Sequence, residues 1–149
     1  MTLFLRAMFA VLVLPGTMGF LLPLLLIAPP APAPRQWWAL GVVFAGTALL
    51  AWCVREFYVA GKGTLAPWSP PKHLVTTGPF RLSRNPIYVA MLVIIAGWAL
   101  FYASQALGLY LVVMFALFHI RTLAGEEPRL AREFGPAWTA YRARVRRWL

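Results

Sequence analysis

Cysteine occurs once, at Cys53, and aspartate not at all; four glutamates are the only acids in 149 residues. A lone cysteine excludes an intramolecular disulfide and gives no sign of a metal cluster, and its place inside an apolar stretch marks it as a small buried residue. No metal site is expected. The chain has no internal repeat, and its one biased stretch is "PPAPAPRQ" at 29–36. A single domain over residues 1–149 is the expectation.

What is abundant is apolar. Hydrophobic residues make up 61% of the chain and mean hydropathy is +0.70, well above the roughly half-apolar balance of a soluble domain. A bilayer crossing takes about 20 apolar residues, and such windows fall at 7–28, 37–59, 86–103 and 105–123. The expected fold is all-α and polytopic, with four transmembrane helices, a cytoplasmic loop at 60–85 and a cytoplasmic tail at 124–149. Ser104-Gln105 is the only polar break between the last two windows, which predicts a tight antiparallel hairpin. Arg6 before a hydrophobic run and Ala31-Pro32-Ala33 resemble a signal peptide and its cleavage site, but the run is too long and prolines crowd the site, so a retained span is expected.

The formal charge of +10 raises nucleic acid as a partner, and the placement of the charges argues against it. With the N-terminus in the cytoplasm, Arg6, the 60–85 loop and the tail share one side and Arg35 stands alone on the other, the positive-inside pattern. Arginine greatly outnumbers lysine, and alanine and proline are abundant, which suits a GC-rich bacterial genome and hence a bacterial cytoplasmic membrane. In the tail, Leu130, Phe134, Trp138, Tyr141, Val145 and Trp148 recur every three or four residues with arginines between them. That pattern predicts an amphipathic helix on an anionic leaflet.

Between the second and third windows, Gly, Pro, Thr and Ser are dense, with turn signals at Pro70-Pro71 and Gly78-Pro79. A structured loop is expected, facing water or a protein cavity because lipid cannot satisfy irregular backbone. Asn85-Pro86 closes it as an N-cap and first helical residue. Two of the four acids are adjacent, Glu126-Glu127, just past the last apolar window. In so basic a chain they call for a cationic partner, either arginines such as Arg81, Arg84 or Arg121, or a cationic ligand. The hairpin brings Asn85 and Glu126 to the same end.

"LVTTGPFRLSRNPIY" at 74–88, followed after the hairpin by "EEPRLAREFG" at 126–135 and an aromatic, basic tail, resembles the integral membrane methyltransferases, which include isoprenylcysteine carboxyl methyltransferases and phospholipid N-methyltransferases. The resemblance covers about residues 55–149. Leu74 to Gly78 and the spacing from Glu126 to Gly135 are similar to the prenylcysteine branch; Asn85-Pro86-x-Tyr88, Gly97-Trp98 and Glu126-Glu127-Pro128 are closer to the phosphatidylethanolamine branch. Arg84-Asn85-Pro86 stands where prenylcysteine enzymes have Arg-His-Pro.

The resemblance implies S-adenosylmethionine as cofactor and a lipophilic, membrane-resident acceptor, a phospholipid amine or similar lipid ranked above a prenylated cysteine. It implies Glu126 and Glu127 for the cofactor's ammonium and ribose hydroxyls, and Arg84, Asn85, Pro86 and the turn at Gly78 around its carboxylate. Tyr88 closes over the adenosine or anchors at the interface, and Gly61 and Gly63 form a cofactor loop or a plain turn. His119 is a candidate base or a packed interface histidine; Arg121 steers a lipid phosphate or snorkels to the headgroups. Two other classes remain open at this level: a nicotinamide-dependent reductase of the steroid-reductase type, and a non-catalytic membrane scaffold.

Overall fold

A computed structural model describes residues 12–26, 35–62 and 72–149. Every regular element among them is helical. Helix α1 begins π-helical over Leu12–Leu21 and continues α-helical over Leu22–Leu26, α2 is Ala39–Val59, a 3-10 turn covers Gly78–Arg81, α3 is Pro86–Phe101 and α4 is Gln105–Arg121. A π-helical turn, Thr122–Glu126, carries α4 without a break into α5, Glu127–Arg144.

Helix α2 buries Ala39, Val43, Gly46, Leu50, Cys53 and Glu56, a stripe spaced by threes and fours whose Cys53 and Glu56 face the loop before α3 and whose Val43, Gly46 and Leu50 face a neighbouring helix. That neighbour is α3, which makes its most extensive contact with α2 and also touches α1 and α4. Two glycines set how closely α2 and α3 approach. A Cβ on Gly46 would lie 2.9 Å from the Ile94 backbone nitrogen, and one on Gly97 would lie 2.8 Å from that of Val43. Small residues let apolar helices pack backbone to backbone. Gly97→Ala is therefore expected to lower stability in detergent by about 1–3 kcal/mol, whereas Gly108→Ala, whose Cβ meets nothing within 4 Å, should leave the melting transition in place.

The hairpin forms as expected. Ala103 adopts a left-handed conformation, φ +47°, and the Ser104 hydroxyl caps α4 by accepting from the Leu107 amide at 3.4 Å. This turn shortens α3. Its 16 residues span about 24 Å, less than the ~30 Å hydrocarbon core, and they stop at Phe101 where hydropathy predicted 103. Among the described residues, two helices rather than four are long and apolar enough to cross a membrane, Ala39–Val59 and the continuous run Gln105–Arg144; Pro15–Leu26 and Pro86–Phe101 are shorter apolar helices. The expected first window extends beyond the described residues at both ends. Large apolar side chains point outward along the helices, among them Phe44 on α2 and Leu109, Val112 and Ile120 on α4. An apolar outer surface of that kind marks a membrane or protein contact.

The tail is helical, as its apolar spacing predicts, and is not a separate element. It is one run with α4, kinked at Gly135, where φ is +47° and Pro136 follows. Beyond the kink, Trp138 and Tyr141 are buried in the protein. Tyr141 donates to the Phe80 carbonyl at 2.7 Å, so this half of the apolar stripe docks on the loop while Arg142, Arg144 and Arg146 stay exposed.

Candidate functional site

Two side-chain clusters lie where α3 begins and α4 ends, and a third anchors the loop that leads into α3. The first joins Tyr88, Arg121 and Glu126. Tyr88 donates its hydroxyl to Glu126, and Arg121 Nε donates to the Tyr88 oxygen and to Glu126 Oε1, each at 3.1 Å. The Tyr88 ring stacks on Phe118 with centroids 4.3 Å apart. The Arg121 side chain is 62% exposed and that of Glu126 28%, so this cluster opens to the surroundings. Sequence spacing placed Asn85 and Glu126 at the same end; the side chain that meets Glu126 there is Tyr88, one turn into α3.

The second cluster is buried. Arg84 Nη1 lies 3.1 Å from Glu127 Oε1, with the two side chains 8% and 10% exposed. Arg147 grips the same carboxylate with both arms, Nε to Oε1 at 2.8 Å and Nη2 to Oε2 at 3.1 Å. The Arg84 contact is ionic without hydrogen-bond alignment: its Nε and Nη1 have no acceptor, and its guanidinium carbon sits 5.5 Å over the Trp138 ring. Burial pushes the Arg84 pKa down against the charge of Glu127. Burial also raises Glu127, but hydrogen bonds from Arg147 and the Arg84 charge outweigh it and hold the carboxyl below its ordinary range.

The adjacent acids therefore do different things. Consecutive helical positions point about 100° apart, which turns Glu126 toward Tyr88 and Glu127 toward the loop. Asn85 occupies the N-cap position of α3, with Pro86 first in the helix, yet makes no side-chain cap. Its Nδ2 instead donates to the Arg147 carbonyl at 2.9 Å. His119 is held by neither acid: its Nδ1 accepts from Trp148 Nε1 at 3.3 Å.

The third cluster anchors the loop and was not anticipated. Glu56 is buried near the end of α2, accepts from the Thr77 hydroxyl, and pairs with Arg55 at 3.1 Å. Gly78 rests directly on it, with φ +56°. An acid on the buried stripe of an otherwise apolar helix was the available signal. Gly61 is a turn residue: its amide donates to the Glu56 carbonyl at 3.1 Å, and its own carbonyl accepts from Lys72 at 2.8 Å. Gly63 lies outside the described residues.

Comparison with known proteins places the chain in a wider group. Residues 34–137 match the sequence model described as phospholipid methyltransferase. The chain is similar to the nickel-cobalt-cadmium resistance protein NccN of Alcaligenes xylosoxydans xylosoxydans, 33% identical over 106 residues, covering 71% of this chain and 45% of that protein. It is also similar to rat (Rattus norvegicus) phosphatidylethanolamine N-methyltransferase, 38% identical over 95 residues, covering 58% of this chain and 47% of the enzyme. The chain thus spans less than half the length of these relatives. No solved structure gives a significant match.

Proposed function

The chain belongs to the phospholipid methyltransferase family, and on that premise we propose that it transfers a methyl group from S-adenosylmethionine to the amine of a membrane lipid. The observation that carries this reading is the meeting of a partly open carboxylate, Glu126, and a buried guanidinium with unpaired N–H groups, Arg84, at one end of one hairpin. S-adenosylmethionine carries an ammonium and ribose hydroxyls, which a carboxylate holds, and a carboxylate, which an arginine holds. The donor set fits.

S-adenosylmethionine supplies an activated methyl group when bound. The chain's task is then to orient the acceptor and exclude water. Glu126, oriented by Tyr88 and Arg121, and the neighbouring Glu127 would hold the hydroxyl and cationic ends of the cofactor, and Arg84 with the Asn85 amide group its carboxylate end. A lipid amine becomes nucleophilic on giving up a proton. His119 Nδ1, near the same end of α4, is the proposed acceptor, and the exposed Arg121 is placed to hold a lipid phosphate. On this reading α1 to α4 are set in the membrane with the motif-bearing end at the cytoplasmic face of a bacterial cytoplasmic membrane. A lipid acceptor would then approach sideways while the soluble cofactor comes from the cytoplasm.

Binding of S-adenosylmethionine to the protein in lipid nanodiscs tests this. Saturable binding is expected, weakened about tenfold or more by Glu126→Gln, a substitution that leaves the buried Glu127 cluster intact. Folded wild-type protein that binds no S-adenosylmethionine, or binds only a reduced nicotinamide cofactor, would overturn the proposal.

A further inference from the structure

Residues 145–149 lie across the site, using the groups that a ligand would need. The Arg146 carbonyl accepts from the Arg84 amide at 2.9 Å, and the Arg147 carbonyl accepts from Ser83 Oγ at 3.2 Å and Asn85 Nδ2 at 2.9 Å. The Arg147 guanidinium takes both oxygens of Glu127. Trp148 donates to His119 Nδ1 and packs on Phe115, with ring centroids 5.3 Å apart. Trp148 and Leu149 also border a cleft of about 350 Å³ whose other walls, including Val89, Val93, Leu111 and Phe115, are apolar.

We infer that residues 145–149 are an internal ligand of the site, a strap with Arg147 standing in on Glu127 for a cationic ligand and Trp148 occupying His119 while forming one wall of the apolar cleft. This rests on the reading of the site as a cofactor pocket and adds what regulates it. With the strap seated, a bidentate arginine fills both oxygens of Glu127, and the Nδ1 lone pair of His119 already accepts a hydrogen bond, so it cannot take a proton. Cofactor binding and proton removal therefore share one precondition, release of the strap. The apparent dissociation constant is raised by the reciprocal of the fraction of molecules with the strap open. The apolar cleft would lose the wall that Trp148 and Leu149 form in the same step, which couples the shape of the cleft to cofactor access.

The test uses the full chain in nanodiscs and labelled S-adenosylmethionine. Arg147→Gln is expected to tighten binding by about tenfold. In a Cys53→Ala background, Phe115→Cys/Trp148→Cys joined by a short thiol-specific cross-linker should lose binding and regain it when the linker is cleaved. The same folded molecules are compared before and after cleavage, so loss of fold cannot imitate the result. Equal binding by locked and unlocked protein, or weaker binding by Arg147→Gln, would show a fixed strut and overturn the inference while leaving the methyltransferase reading standing. Absence of binding even with the strap released would overturn both.

Discussion

Glu127→Ala is expected to destabilise the protein by about 3–5 kcal/mol, the larger of two effects at adjacent positions. The Arg84 side chain is 8% exposed, and its Nε and Nη1 already lack acceptors, so removing Glu127 leaves a buried cation with no counter-charge. Glu126→Ala touches a cluster in which the Arg121 side chain is 62% exposed, and its cost should stay within about 1 kcal/mol. Chemical unfolding of both variants in the same micelles reads the difference. The Glu127 carboxyl is held below its ordinary value by Arg147 and Arg84, so its contribution is complete above the unfolded pKa of about 4.3 and disappears as pH falls through the lower folded value. The stability gap between wild type and Glu127→Gln should accordingly be flat from about pH 5 to 7 and close only below about pH 4. A gap of similar size at positions 126 and 127, or one that closes near neutrality, would contradict this division of labour.

Gly78→Val should release the loop that carries Arg84 and Asn85. A Cβ at this position would stand 2.9 Å from Glu56 Cγ and 3.0 Å from Trp52 Nε1, on a backbone with φ +56°. The left-handed conformation costs a β-branched residue about 1–3 kcal/mol, and the overpacking a similar amount. Glu56→Gln keeps the shape and weakens the acceptor of the Thr77 hydroxyl, which should cost about 1–2 kcal/mol. Hydrogen exchange over residues 72–85 is the direct readout, with exchange expected to rise in the order wild type, Glu56→Gln, Gly78→Val. Unchanged protection in Gly78→Val would mean that Glu56 does not anchor the loop.

The hairpin was readable because its signals are local. Asn85-Pro86 opens α3 and Ser104 caps α4 at positions a periodicity argument can find. The length of α3 was not readable in the same way, since Tyr102 and Ala103 form the turn and yet score as apolar. Nor was the continuity of α4 into α5, which depends on a π-helical turn with no distinctive residue. The clusters themselves divide along the same line. The Tyr88 and Glu126 contact follows from hairpin geometry, whereas the Asn85 contact with Arg147 joins positions 62 apart and left no local trace. Arg147 looks like the neighbouring Arg142, Arg144 and Arg146 in sequence. Only packing of Trp138 and Tyr141 on the loop separates it from them. Glu56 was visible as an acid on an apolar stripe, but its role became legible once Thr77 and Gly78 were brought to it.

Methyl transfer itself is the most direct test of the central claim. Protein in nanodiscs made from bacterial lipid extract, supplied with methyl-labelled S-adenosylmethionine, is expected to place label in an amine-bearing phospholipid, with Glu126→Gln strongly reduced and nanodiscs lacking aminophospholipid giving none. Saturable cofactor binding with no label in any lipid or lipophilic acceptor would contradict the account of this chain as a lipid methyltransferase.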